Sequence, residues 1–143
     1  MSNFSMTFPG RVECLSAVRK FTLKSLGDVP GADVAELVVS ELAGNAILHS
    51  VSGYPGGSFT LHLEVLSDRW LIRVDDAGGL KEPQIHDADS ERESGRGLAL
   101  VSAVSLEWGV AGGRVARAVW ATIPIPTSPQ SSSCLPCALI AGP

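Results

Sequence analysis

"SELAGNAILHS", residues Ser40 to Ser50, is the stretch on which the reading of the chain turns. It continues an apolar run that starts at Ala32, so the spacing predicts one helix over residues 32–50. Two polar residues, Glu41 and Asn45, stand one turn apart inside it. At about 100° per residue, Val34, Leu37, Val38, Leu42 and Leu48 gather on one side, and Glu41 and Asn45 fall at the centre of that stripe, about 40° apart. A lone carboxylate is costly to bury, so it must change its protonation, find a partner or face a wet cavity. A structural reading has Glu41 paired with a neighbouring base and Asn45 capping a strand edge. The other reading is a ligand site, and the rest of the chain favours it.

Working outward, Ser5 to Phe8 reads as a short strand. Arg11 to Leu26 carries Val12, Leu15, Val18, Leu23 and Leu26 at the spacing of an amphipathic helix that ends near Gly27. After the second helix, Gly53 to Gly57, "GYPGG", is a loop by its turn residues. Ser58 to Leu66 and Arg69 to Asp76 then alternate with period two: Phe59, Leu61, Leu63 and Val65 share one face of the first strand, and Trp70, Ile72 and Val74 share one face of the second.

The same parity separates two neighbouring acids. Asp76 continues the inward series of Ile72 and Val74, whereas Asp75 follows Arg73 outward. Ala77, Gly78 and Gly79 come next and are small enough for a flat ligand to approach the backbone. A plain turn built from Asp-Ala-Gly-Gly accounts for the same residues.

Lys81 to Ser94 is polar and too long for a tight turn, and it reads as a mobile loop. Gly95-Arg96-Gly97-Leu98 opens a helix running to Leu106, an arrangement whose free backbone amides and dipole can hold phosphate oxygens. Glu107 to Val110 and Val115 to Ile125 form a closing hairpin. The order of elements is that of an α+β domain over residues 1–125, with three helices on one face of a mainly antiparallel sheet. Residues 126–143, "PTSPQSSSCLPCALIAGP", lack a usable period and are expected to be a disordered tail.

Composition narrows the function. A chain of 143 residues with 45% hydrophobic content can bury one sizeable core. Its net charge of −4 supplies no basic field for a nucleic-acid backbone. No stretch approaches the roughly 20 apolar residues of a membrane span, and the start lacks a charged region followed by an apolar run, so a soluble cytoplasmic protein is expected. Cys14, Cys134 and Cys137 form no framework. The C-terminal CxxC is either a redox pair, half of a zinc site, or two thiols in a tail, and the partner ligands that the first two readings need are missing.

The ordered set of Glu-xxx-Asn on a helix, Asp-Ala-Gly ending a strand and Gly-Arg-Gly starting a later helix resembles the GHKL, or Bergerat-fold, ATPase superfamily. Within it, the chain is most similar to the small stand-alone domains of the anti-sigma factor serine/threonine kinase type. The resemblance runs from about Thr7 to Ile125: "VVSELAGNAILHS" looks like the N box, "VDDAGG" the first glycine box and "ESGRGLALV" the second, with "WGV" and "VWA" downstream. It implies a two-layer ATP-binding sandwich of three helices on a mixed, mainly antiparallel sheet.

The resemblance also implies roles. Asn45 would ligate a magnesium ion bridging the phosphates of ATP, and Glu41 would be the general base beside the terminal phosphate. Asp76 would accept the adenine amino hydrogen, favouring ATP over GTP, with Gly78 letting the base sit close. Gly95, Gly97 and Leu98 would line the phosphate end, and residues 81–94 would be the lid. Arg96 either reaches a phosphate or faces solvent, and His49 either orients phosphate or finishes its helix. The sequence departs from the pattern at Leu80, where a glycine is common, and at Ala118, where many relatives carry threonine.

Two functions are consistent with this. One is a kinase that phosphorylates a small anti-sigma antagonist and sequesters a sigma factor, with a homodimer as a further expectation. The other is a non-catalytic ATP-dependent binding switch. A sensor histidine kinase is disfavoured because no phosphoacceptor helix pair precedes the domain, and a topoisomerase or chaperone is disfavoured by length.

Overall fold

The alternation of residues 58–76 builds the centre of the sheet. In the computed structural model, which describes residues 2–27, 29–79, 93–113 and 115–126 (for 93–97 the backbone alone), β2 (Ser58–Val65) and β3 (Arg69–Asp76) pair antiparallel. Leu61 lies opposite Val74 and Leu63 opposite Ile72, so the apolar residues of both strands share one face. β1 (Ser2–Pro9) flanks β2, and β5 (Arg117–Pro124) flanks β3. β4 (Glu107–Gly112) closes the far edge, giving the order β1-β2-β3-β5-β4.

All four described pairings are antiparallel, so the α+β architecture is as expected but the sheet is not mixed. β1 begins three residues earlier than its side-chain pattern suggests. Its outer residues are largely exposed, and main-chain pairing with β2 sustains it.

The helices form the second layer. α1 (Leu15–Leu26) follows a 3-10 turn at Val12–Cys14 and buries Val18 and Thr22, whereas Val12 and Leu23 are exposed. Phe21 beside them meets Phe8 edge-on at 5.9 Å, and Phe8 stacks on Phe59 at 5.8 Å, which ties α1 to β1 and β2. α2 (Ala32–His49) lies against β2, β3 and β5 between α1 and α3 (Glu93–Val104).

Ala35, Val38, Val39, Leu42, Ala43 and Ala46 of α2 are fully buried. The three alanines let the helix backbone approach the sheet closely. Truncating Leu42 to alanine in such a core typically costs about 2–5 kcal/mol. Gly31 precedes α2 at φ 88°, and a methyl group there would strike the Pro126 ring, which crosses the helix start just beyond β5.

Of the expected lid, residues 81–92 lie outside the described residues, and Glu93 and Ser94 instead begin α3. The tail beyond Pro126, with its CxxC, and Leu80 also lie outside them. Among the described residues no helix is long and apolar enough to cross a membrane.

Candidate functional site

Two of the three leucines of α2 do not mark its buried face. Leu37 and Leu48 are 37% and 57% exposed, and Val34 is only half-buried. The buried face runs instead through the alanines with Val38, Val39 and Leu42, because small side chains permit the closest contact with the sheet. Glu41 therefore sits at a half-exposed rim rather than at the centre of the buried stripe. Gly44 lies about 60° from it on the helical wheel, and the space that a side chain on Gly44 would enter is open.

Asn45 marks the border between the two faces. It is 4% exposed, and its Nδ2 has no hydrogen-bond partner among the described residues. A buried amide left in that condition costs about 1–3 kcal/mol, so an unmet donor here asks for an explanation beyond packing.

One turn further on, the end of α2 is locked to the exit of β3. The Ser52 hydroxyl accepts the Ala77 amide at 2.8 Å, and the Val51 amide donates to the Gly78 carbonyl at 2.9 Å. Gly78 has φ 80°, a conformation that glycine alone adopts freely, and its amide donates to Asp76 Oδ1 at 2.6 Å. A methyl on Gly79 would come within 3.2 Å of the His49 carbonyl, so that glycine permits the close approach of the two segments. These contacts hold the C-terminal end of α2 and the turn after it against the segment that follows Asp76.

Asp76 points inward as its parity predicts, and its side chain is fully buried. Its principal partner was not foreseen. Arg117, directly opposite in the β3–β5 register, donates to Asp76 Oδ2 from Nε at 3.3 Å and from Nη2 at 3.2 Å, and Nη2 also reaches the His49 carbonyl at 3.4 Å. A signal was present in the sequence: Arg117 shares the parity of Val119, Ala121 and Ile123, the inward series of β5. Ala118, where the resemblance led us to look for threonine, lies opposite Asp75 on the other face of the sheet and does not reach the site.

The second glycine box is placed differently from expectation. α3 starts at Glu93, so Gly95 falls within the first turn, where amides lack intrahelical acceptors, and Gly97 falls beyond it. Arg96 shares this turn. Leu98 is 1% exposed and belongs to the hydrophobic core with Val101. His49 is exposed and contributes its carbonyl to Arg117.

The chain belongs to the family of histidine kinase-like ATPase domains, whose family model matches residues 8–122. It is thus a member of the GHKL-type ATPase superfamily, and membership supports an ATP-binding role. The matched span contains the whole region assembled above. Comparison with curated proteins gives no match.

Proposed function

We propose that the protein is an ATP-dependent regulatory kinase of the anti-sigma factor type, which transfers the terminal phosphoryl group of ATP to a serine of a small antagonist protein. The observation that carries this reading is Asn45, a buried amide with an unmet Nδ2 among the described residues, on the helix whose half-exposed rim also carries Glu41. Turned over, that amide offers its oxygen to the same surroundings, and an amide oxygen suits magnesium, a hard cation. When bound, the metal supplies charge neutralisation for the phosphate oxygens.

Asp76 receives the base, with Gly78 providing the bare backbone beside it. The first turn of α3, which contains Gly95, supplies amides at the phosphate end. Glu41, at the helix rim, takes the proton of the partner serine as its oxygen bonds to the terminal phosphorus and the bridging P–O bond breaks to leave ADP. Edge strand β1, eight residues long and mostly exposed, supports docking of a protein partner, whether antagonist, sigma factor or second copy.

The test is phosphotransfer from labelled ATP to a co-purified partner. Glu41→Gln keeps size and polarity but removes the base, so transfer should fall by roughly 100-fold or more while nucleotide affinity holds. Transfer by the variant at the parental rate, or none by the parent, sinks the kinase reading. A partner whose affinity changes with ATP in the absence of transfer would instead identify a non-catalytic switch.

A further inference from the structure

We infer that the free edge of β1, with the basic side of α1 beside it, is the docking site for an acidic, strand-forming segment of a protein partner. The inference rests on the reading that the protein acts on such a partner, and it names the chemistry of the segment that docks.

A sheet edge is a row of unpaired backbone amides and carbonyls, and proteins guard such rows with charges, proline, bulges or short length. β4 is guarded in this way: it is six residues long, opens on Glu107 and ends at Gly112 with φ 84°. β1 is not. Its eight residues, Ser2–Pro9, carry no charge, and its only proline is the last of them. Its register with β2 runs unbroken from Ser2 opposite Val65 to Pro9 opposite Ser58. Among the described residues no strand pairs with its other side. Met6 faces the helix layer by the parity of Phe4 and Phe8 yet is 49% exposed, so the helices do not cover the sheet as far as this edge.

Charge decides what kind of strand the edge accepts. From Arg11 to Lys24, four bases, Arg11, Arg19, Lys20 and Lys24, stand against one acid, Glu13, a net of +3 in a chain whose total is −4. All four bases are exposed. α1 reaches β1 through Phe21, which meets Phe8 at 5.9 Å. On the helical wheel Lys24 lies about 60° and Lys20 about 100° from Phe21, on the flank turned away from Arg19, whose Nε donates to Ser40 of α2 at 3.1 Å. Arg11 stands at the end of the same edge, in a cleft that Thr7, Pro9 and Tyr54 also line and in which it is the only charged residue. Arg11, Lys20 and Lys24 form no ion pair among the described residues.

A strand laid beside β1 thus runs along a positive rim that acidic side chains neutralise. A second copy of this chain fits less well. Antiparallel pairing of β1 with another β1 sets both helix layers on one side of the joined sheet and brings two such rims together, and β1 has no acid to offset either.

The probe is a synthetic, strand-length peptide that alternates glutamate with threonine, titrated into isotope-labelled protein and followed by NMR. Amide shifts should move in Ser2–Pro9 and not in β4, and affinity should fall as salt is raised. A peptide with lysine in place of glutamate should bind at least about tenfold more weakly. Changing Lys20→Glu and Lys24→Glu together, both exposed positions, should weaken the acidic peptide by about tenfold and leave ATP affinity at the parental value. The inference is overturned if the acidic peptide does not bind, if the shifts are confined to other elements, if the lysine peptide binds equally well, or if the folded double variant keeps the parental affinity. A parent that sediments as a dimer and becomes monomeric on Met6→Lys assigns the edge to a second copy, which also overturns it. Phosphotransfer to a co-purified partner is read separately. Its absence sinks the kinase reading and leaves the peptide result standing, whereas transfer by a parent that binds no acidic peptide sinks the docking site alone.

Discussion

Asp75 and Asp76 are consecutive and chemically identical, yet they stand on opposite faces of the sheet. Asp75 lies on the outer face, its side chain 39% exposed, with His62 Nε2 at 2.9 Å and Arg73 Nη2 at 3.2 Å from its Oδ2. Asp76 lies beneath the helices and is held by Arg117 and the Gly78 amide with no exposure to water. Water screens the outer network, so its contribution to stability is small. In the inner one, removing either partner leaves the other charge in a dry setting, where solvent cannot compensate. The same residue type is thus ornamental on one face and decisive on the other.

The largest expected effect tests the inner face directly. Asp76→Ala should destabilise the fold by about 3–5 kcal/mol in chemical denaturation, because Arg117 loses its carboxylate. The double change Asp76→Leu with Arg117→Met should recover much of that loss, since an apolar pair has no charge to desolvate. If the double variant is no more stable than Asp76→Ala, the ion pair is not the source of the cost.

Next comes the turn that supports the carboxylate. Gly78→Ala should cost about 1–2 kcal/mol, the usual penalty for placing a side chain at positive φ, measured as a drop in melting temperature. An unchanged melting temperature would mean that the turn relaxes without strain.

Asn45→Ala separates stability from binding. It removes a buried donor that has no partner among the described residues, so the fold should change by less than about 1 kcal/mol, whereas the magnesium-dependent part of ATP affinity should be lost. A large stability loss would show that the amide serves packing instead.

The outer face supplies the smallest effects. Asp75→Ala should cost less than about 1 kcal/mol, and a value near that of Asp76→Ala would break the contrast between the faces. Asp68, at the β2–β3 turn, is held below the usual carboxylate range by its hydrogen bond to Arg69. A lowered folded pKa gives stability that is present above the ordinary carboxylate range and lost as pH falls through the folded value. Asp68 is largely exposed and Arg69 partly so, and water screens the pair, so Asp68→Asn should leave the acid limb of the melting curve unchanged within error.

Where periodicity was clean, the sequence was informative. The strands at 58–65 and 69–76, the inward turn of Asp76 and the outward turn of Asp75 all follow from period-two alternation, which consecutive residues display without reference to any other part of the chain. The helix at 32–49 was equally legible, but its buried face was not. Leucine size drew the stripe toward Leu37 and Leu48, whereas contact with the sheet selected the alanines, and a helical wheel does not contain the surface against which the helix packs.

What the sequence by itself determined was the α+β order of elements, the ordered set of Glu41, Asn45, Asp76 and the Gly95–Gly97 turn, and with that set the family. Only the tertiary structure decided that Arg117 sits on Asp76 and that Ala118 faces away. The two partners are 41 residues apart, and they meet because β5 inserts between β3 and β4 in a register that sets Arg117 opposite Asp76. Strand order and register are set by the burial of all the inner-face residues together, a condition that no local window of sequence carries.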